Sequence, residues 1–365
     1  MKLTIDPKTL AEAVTWAART LPNRPTAPIL AGLHLQADAD GTLTISAFDY
    51  DTAARATIQA DTVPEPGQTV IPGRILAEVT ASLASSRSIA DIAANGNEAT
   101  ITCGTADFTL QTLPVDDYPA LPQPPEPAGT VDGALFAAAV NQIHVACSRD
   151  TTLPMLNGIR VDSDGPTLTL AATDRYRIAV RDLPWTPETG QTLGVLVPGK
   201  TLHAIAKTVG GQPVTVAFTD SLAAISTPGR QTIVRLLEPQ FIDYRARIRI
   251  DPAITATVDP QALAAAVKRV ALVADPDAAA IRLAFTDGHV RVQAGDGNIG
   301  RGGDTVACQL DGDPIDIAFQ AAFLLDGLQA IDGPMTIGME TPTRPALLSS
   351  QDGAFQYLAM SLRLS

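Results

Sequence analysis

Asp6-Pro7-Lys8-Thr9-Leu10-Ala11-Glu12-Ala13-Val14 returns twice further along the chain in altered form. Asp132-Gly133 leads into Phe136, Ala137, Ala139 and Val140. Asp259-Pro260 leads into Leu263, Ala264, Ala266 and Val267. Each time an aspartate stands where a helix N-cap belongs, Pro or Gly follows it, and apolar residues recur at helical spacing. The aspartates at 6, 132 and 259 are 126 and then 127 residues apart. That period is too long for a solenoid or propeller blade and has the size of a whole domain. The chain therefore reads as three tandem copies of one fold.

The repeat extends outward from the helix. Pro28-Ile29-Leu30-Ala31-Gly32-Leu33 matches Pro154-Met155-Leu156-Asn157-Gly158-Ile159, and Pro72-Gly73-Arg74 matches Pro198-Gly199-Lys200. Leu43-Thr44-Ile45 matches Leu168-Thr169-Leu170, and Asp49 matches Asp174. In the first copy, period-two alternation predicts strands over 32–37, 42–47, 53–59 and 68–71, with a second helix over 73–83. Ile281, Leu283 and Phe285, then Val290 and Val292, alternate in the same way in the looser third copy, whose second helix is expected over 319–330. Two helices among many short antiparallel strands make each copy α+β. The proline-rich Leu121-Pro122-Gln123-Pro124-Pro125-Glu126-Pro127 can be neither helix nor central sheet, and Ile250-Asp251-Pro252-Ala253 marks a second join. Expected domains are 1–125, 126–253 and 254–365.

A chain of 365 residues can bury several cores. No run approaches the roughly 18 apolar residues of a membrane span, and the start has no signal-peptide pattern, so a cytoplasmic protein with no membrane partner is expected. Cys103, Cys147 and Cys308 are too few and too far apart for a disulfide framework or a Cys-x-x-Cys site. Net charge is −13, which does not exclude nucleic acid, because basic residues gathered on one inner face can coexist with an acidic exterior. His34, His144, His203 and His289 stand alone in sequence, without metal-ligand spacing. The run from Ala294 to Gly303 lacks the Gly-Lys-Ser/Thr ending of a phosphate loop and reads as a hairpin loop. Asp116-Asp117, between Pro114 and Pro119, reads as a solvated turn. No nucleophile and base are paired, so no catalytic, metal or cofactor site is expected. An enzyme on a triplicated scaffold is the remote alternative to a binding or scaffold role.

Several segments carry a specific resemblance. Arg24-Pro25-Thr26-Ala27-Pro28-Ile29-Leu30, Leu113-Pro114-Val115-Asp116-Asp117-Tyr118-Pro119 and Ala172-Thr173-Asp174-Arg175-Tyr176-Arg177-Ile178 stand in order. Val197-Pro198-Gly199-Lys200, Asp243-Tyr244-Arg245 and the closing Met360-Ser361-Leu362-Arg363-Leu364 follow them. Over its full length the chain resembles the bacterial DNA sliding clamps, the beta subunits of DNA polymerase III. The resemblance implies three tandem clamp (processivity-fold) domains that pair head to tail into a dimeric ring around duplex DNA. Helices would line the hole and place Arg24, Arg74, Arg149, Lys200 and Lys207 toward DNA, held without regard to sequence. Phe108 and Leu110 of one protomer would meet Leu272 and Val273 of the other, pairing open edges. Partners would be the polymerase alpha subunit, the clamp-loader complex and other proteins with a clamp-binding motif.

The resemblance also implies a peptide pocket walled by Leu156, Thr173, Arg175, Ile178, Ile242, Arg247, Leu358, Met360, Ser361, Leu362, Arg363 and Leu364. Three of these depart from the family pattern. Ile242 stands where Pro usually precedes Asp-Tyr-Arg, Ser361 where Pro usually follows Met, and Arg247 where an apolar residue is common. Such changes fit a housekeeping clamp that has drifted. They equally fit a second clamp copy altered to refuse a cyclic peptide antibiotic of the griselimycin type, which occupies this pocket in the family.

Overall fold

The computed structural model describes residues 1–150, 152–190, 192–274, 279–295 and 300–363. The three repeated aspartates all cap helices. Asp6 accepts from the Thr9 amide at 2.7 Å at the head of Pro7–Ala18. Asp132 accepts from Leu135 at 2.9 Å before Gly133–His144, and Asp259 from Ala262 at 2.7 Å before Pro260–Val270. One otherwise orphaned amide is satisfied at the same place in every copy. Each capped helix buries its apolar stripe and packs against a second helix: Gly73–Leu83, Gly199–Ala206 and Ala321–Gln329. The repeated Pro-Gly has a steric reason. A Cβ at Gly73 would stand 2.4 Å from Leu21 and 2.8 Å from Leu33, and one at Gly199 2.7 Å from the Cys147 sulfur.

Contacts gather the chain into two compact units, Met1–Thr130 with Gln212–Arg235, and Val131–Gly211 with Leu236–Ser365. Two units arise from three copies because the second copy shares out its strands. In the first unit, Val214–Phe218, Leu222–Thr227 and Arg230–Arg235 continue an antiparallel sheet into Thr52–Gln59, Thr42–Phe48, Gly32–Ala37 and Gly67–Pro72. A separate five-stranded sheet runs in the order Thr62–Glu65, Lys2–Ile5, Ala90–Asn95, Glu98–Cys103, Ala106–Gln111. Between them lies a core that includes Leu3, Leu10, Val14, Leu33 and Ile45.

In the second unit the strand Arg177–Pro184 pairs with Phe355–Ala359 of the third copy. The two joins share one register, Ala53 opposite Ile233 in the first unit and Ile178 opposite Leu358 in the second. Each join covers a strand edge that a single copy would leave open.

The helix expected over 319–330 begins later. Phe319 pairs with Ile281 in the strand Ile315–Gln320, is buried there, and the helix starts at Ala321. The strand Thr62–Glu65 was not anticipated. The histidines do not all stand alone: the rings of His144 and His203 stack with centroids 4.0 Å apart. Cys103 and Cys308 are buried, Cys147 half-buried, and all three are free thiols. Burial pushes the Cys147 thiol up to about 12. No helix among the described residues is long and apolar enough to cross a membrane.

Candidate functional site

The second unit holds an apolar pocket of about 320 Å³. Four separated segments build most of it. The one-turn helix Pro154–Asn157 supplies Leu156, and the strands Thr167–Thr173 and Arg177–Pro184 supply Thr173 and Ile178 across a tight turn. The segment ahead of the short helix Tyr244–Ile248 brings Ile242, and that helix brings Arg247. The last strand, Phe355–Ala359, supplies Leu358, with Met360 just beyond it.

Local chemistry holds each segment. Asp174 accepts from the amides of Tyr176 (3.0 Å) and Arg177 (3.1 Å), closing the turn. The same device appears in the first copy, where Asp49 accepts from Asp51 and Thr52. The residue between, Arg175 here and Tyr50 there, takes the left-handed conformation with φ of 82° and 75°. That conformation costs a side-chain-bearing residue about 1–2 kcal/mol. Asp243 caps Tyr244–Ile248 by accepting from Ala246 at 3.1 Å, and the Tyr244 hydroxyl donates to Asp162 at 2.7 Å.

Beneath the turn lies Arg177. Its guanidinium pairs with Asp174 and Asp326, donates to the Tyr357 hydroxyl, and lies 4.4 Å from the centre of the Phe323 ring. Burial opposes the charge, but the Tyr357 oxygen and the two carboxylates outweigh it and hold the guanidinium above its ordinary value. Burial raises the Tyr357 hydroxyl in turn, which donates to the Phe323 carbonyl at 2.8 Å.

Eight of the twelve expected pocket residues therefore line one cavity: Leu156, Thr173, Arg175, Ile178, Ile242, Arg247, Leu358 and Met360. Ser361 and Leu362 follow in the tail without lining it. The Ser361 hydroxyl is buried without a hydrogen-bond partner, and Leu362 donates its amide to Ala318. Arg363 is exposed, and Leu364 lies outside the described residues. Three lining residues were missed: Tyr176, Arg177 and Pro345. The first two sit inside the quoted motif, and their adjacency to Arg175 was the signal. Pro345 belongs to no motif. The floor is apolar, and Arg175 and Arg247 stand exposed at its rim, in no ion pair among the described residues. Such a site suits a short segment with apolar side chains beside a carboxylate.

The other expected residues are placed as follows. Arg24 and Arg74 are exposed in the first unit, where Arg74 donates to Asn23 at 2.9 Å. Arg149, Lys200 and Lys207 are exposed in the second. Phe108 and Leu110 are half-buried on the strand Ala106–Gln111, the last of its sheet. Leu272 is 83% exposed in the 3-10 turn Ala271–Val273, and Val273 is half-buried. Among the described residues no cluster of three or more potential ligands could hold a metal.

Comparison with known proteins places the chain beside one family along its whole length. Residues 1–122, 130–243 and 250–363 match the N-terminal, central and C-terminal domains of the DNA polymerase III beta subunit. The beta sliding clamp of Streptomyces coelicolor is 44% identical over 380 residues, covering all of both chains. A beta sliding clamp homolog, GriR, of Streptomyces muensis is 40% identical over 340 residues, covering 91% of this chain and 89% of its own. The crystal structure of the Pseudomonas aeruginosa clamp bound to griselimycin superimposes over the whole of both chains with a TM-score of 0.94 at 23% identity.

Proposed function

Because the chain belongs to the DNA polymerase III beta-subunit family, we propose that it works as a sliding clamp, a processivity factor that holds polymerase to DNA. Three clamp domains, joined near residues 125 and 253, would pair head to tail with a second chain and close around duplex DNA. What carries the pocket's part in this reading is the convergence of eight dispersed residues on one apolar cavity with two exposed arginines at its rim. Its ligands would be short peptides carried by the polymerase alpha subunit, the clamp-loader complex and other clamp-binding proteins. Apolar side chains would bury against Leu156, Ile178 and Leu358 while a neighbouring carboxylate meets Arg175 or Arg247. Peptides of that kind should bind in the micromolar range, about −8 kcal/mol.

The charge distribution supports a DNA-facing helical surface. The six paired helices carry Lys8, Arg74, Lys200, Lys268 and Arg269 against only Glu12, Glu78 and Asp326, in a chain whose net charge is −13. Asp326 is itself engaged by Arg177. Contacts of this kind are loose and screened by salt, which lets a ring slide.

The test is topological. Loaded on nicked circular DNA, the protein should stay bound through gel filtration, and cutting the circle should release it. Equal retention on circular and linear DNA would mean direct binding and would overturn the reading. The altered pocket positions also allow a second use, refusal of a griselimycin-type cyclic peptide.

A further inference from the structure

A second cleft, of about 600 Å³, opens in the first unit, on the sheet face turned away from the helices. Its floor is a patch of polar side chains on neighbouring strands. Ser46 stands opposite Arg55, and Thr44 opposite Thr57. His34 continues the first row on one side and Gln231 on the other. The alternate residues of these strands, Leu35, Ile45 and Ala54 among them, point into the core. The domain-joining segment forms a wall: Tyr118 stacks on His34 at 5.3 Å, and the Pro122 carbonyl accepts from Arg55 at 3.1 Å.

No carboxylate borders the cleft. Arg55 is half-buried and joins no ion pair among the described residues. Ser46 is 1% exposed, yet its hydroxyl has no protein partner among the described residues, and neither have those of Thr44 and Thr57. Other polar groups are already engaged. His34 meets Gln68 at 3.1 Å, Gln36 donates to Asp38 at 3.0 Å, and Gln231 donates to Ser226 at 3.3 Å. Arg230 borders the cleft, but its guanidinium lies 5.7 Å from the centre of the Trp16 ring. What remains is one guanidinium, tied only to the Pro122 carbonyl, amid three hydroxyls.

The corresponding face of the second copy is furnished differently. Its ladder has the same register, Ala171 opposite Val180 and Thr169 opposite Asp182. There Asp162 takes the place of Gln36, Asp182 that of Thr57, and Val180 that of Arg55. Everything is paired internally: Arg160 with Asp162 at 2.7 Å, Tyr244 with Asp162 at 2.7 Å, and Thr169 with Asp182 at 2.6 Å. The first copy carries neither carboxylate, with Arg55 where the second has Val180 and His34 where the second has Arg160. Thr44 and Arg55 are half-buried and Thr57 is exposed, so these donors face the open cleft.

We propose that this cleft binds a phosphate-bearing small molecule, its phosphate held by Arg55 and by the hydroxyls of Thr44, Ser46 and Thr57. A planar guanidinium beside hydroxyl donors matches phosphate geometry, and a cleft of this size is in the usual range for small ligands, roughly 300–1,000 Å³. Inorganic phosphate, pyrophosphate and AMP serve as probes, titrated into the full-length protein by calorimetry. Saturable binding is expected for at least one, and Arg55→Gln should weaken it roughly tenfold or more, the usual worth of a hydrogen bond to a charged group. Gln36→Asp with Thr57→Asp, which installs the carboxylates of the second copy, should do the same. In nitrogen-resolved NMR of the wild type, the Arg55 Nε–H signal should move with the bound probe while that of Arg160 stays. This readout decides the matter even if a variant folds poorly. AMP binding tighter than phosphate would identify a nucleotide as ligand; equal binding would identify the ion. No saturable binding by any probe, binding indifferent to Arg55→Gln but lost in Arg24→Gln, or a stationary Arg55 signal would each overturn the proposal.

Discussion

His144 shows how a single side chain sets a pH response. It lies at the end of Gly133–His144, half-buried, with its Nδ1 unpartnered, stacked on His203 and near Lys207. Burial first, then the neighbouring cations, push its pKa from 6.5 down to about 4. Burial lowers that of His203 as well. The folded state therefore resists protonation that the unfolded chain accepts freely. As pH falls from about 6.5 toward about 4, the unfolded state takes up protons first and stability drops; below that window the slope flattens. The urea midpoint should fall across this interval in the wild type and fall less in His144→Gln, with His203→Gln a smaller step in the same direction. An unchanged slope in His144→Gln would show that the ring titrates as it does in water.

At the scale of elements, the pocket's departures lie on two segments, the one before Tyr244–Ile248 and the tail after Phe355–Ala359. Ile242 and Arg247 line the cavity, whereas Ser361 acts from behind, its buried hydroxyl unsatisfied and its backbone freer than a proline's. A flexible linear peptide can adjust to Arg247; a rigid cyclic one cannot. Ile242→Pro, Arg247→Val and Ser361→Pro together should tighten a griselimycin-type ligand by about tenfold or more, a single rim clash removed, and a linear clamp-binding peptide by less. Equal gains for both in calorimetry would leave an ordinary housekeeping pocket. These positions were read from the family resemblance, whereas the elements around them were legible because capping residues, turn aspartates and alternating strands are local signals, read from a few neighbours. The Asp6, Asp132 and Asp259 caps were visible for that reason. Long-range choices were not. Phe319 has helical neighbours but is claimed by the ladder to Ile281. The His144–His203 stack joins residues 59 positions apart on two helices. The sharing of the second copy between two units follows from strand edges that no single copy reveals.

At the scale of the whole molecule, a ring needs an interface strong enough to hold yet open to a loader. The strand Ala106–Gln111 ends its sheet with alternate side chains half-buried, so Phe108 already packs against its own core while its backbone edge stays available. Leu272 is different: at 83% exposed it contributes little within its own chain, and in the proposed ring it would be covered by the partner. Leu272→Asp is accordingly the sharper test. It should leave the folding of each protomer unchanged, since its side chain is largely exposed, but place a carboxylate in the centre of the proposed contact. The dimer should loosen by about 2–4 kcal/mol, the cost of losing an interface hot spot, and sedimentation should show monomers at concentrations where the wild type is dimeric. Phe108→Asp should give monomers too, but with a lowered melting temperature, because it also wounds the core. If dimerisation and closure are one event, Leu272→Asp must also lose retention on circular DNA while still binding clamp-binding peptides in the pocket of the second unit. A Leu272→Asp protein that remains dimeric would place the interface elsewhere. One that becomes monomeric yet stays on the circle would separate DNA holding from ring closure.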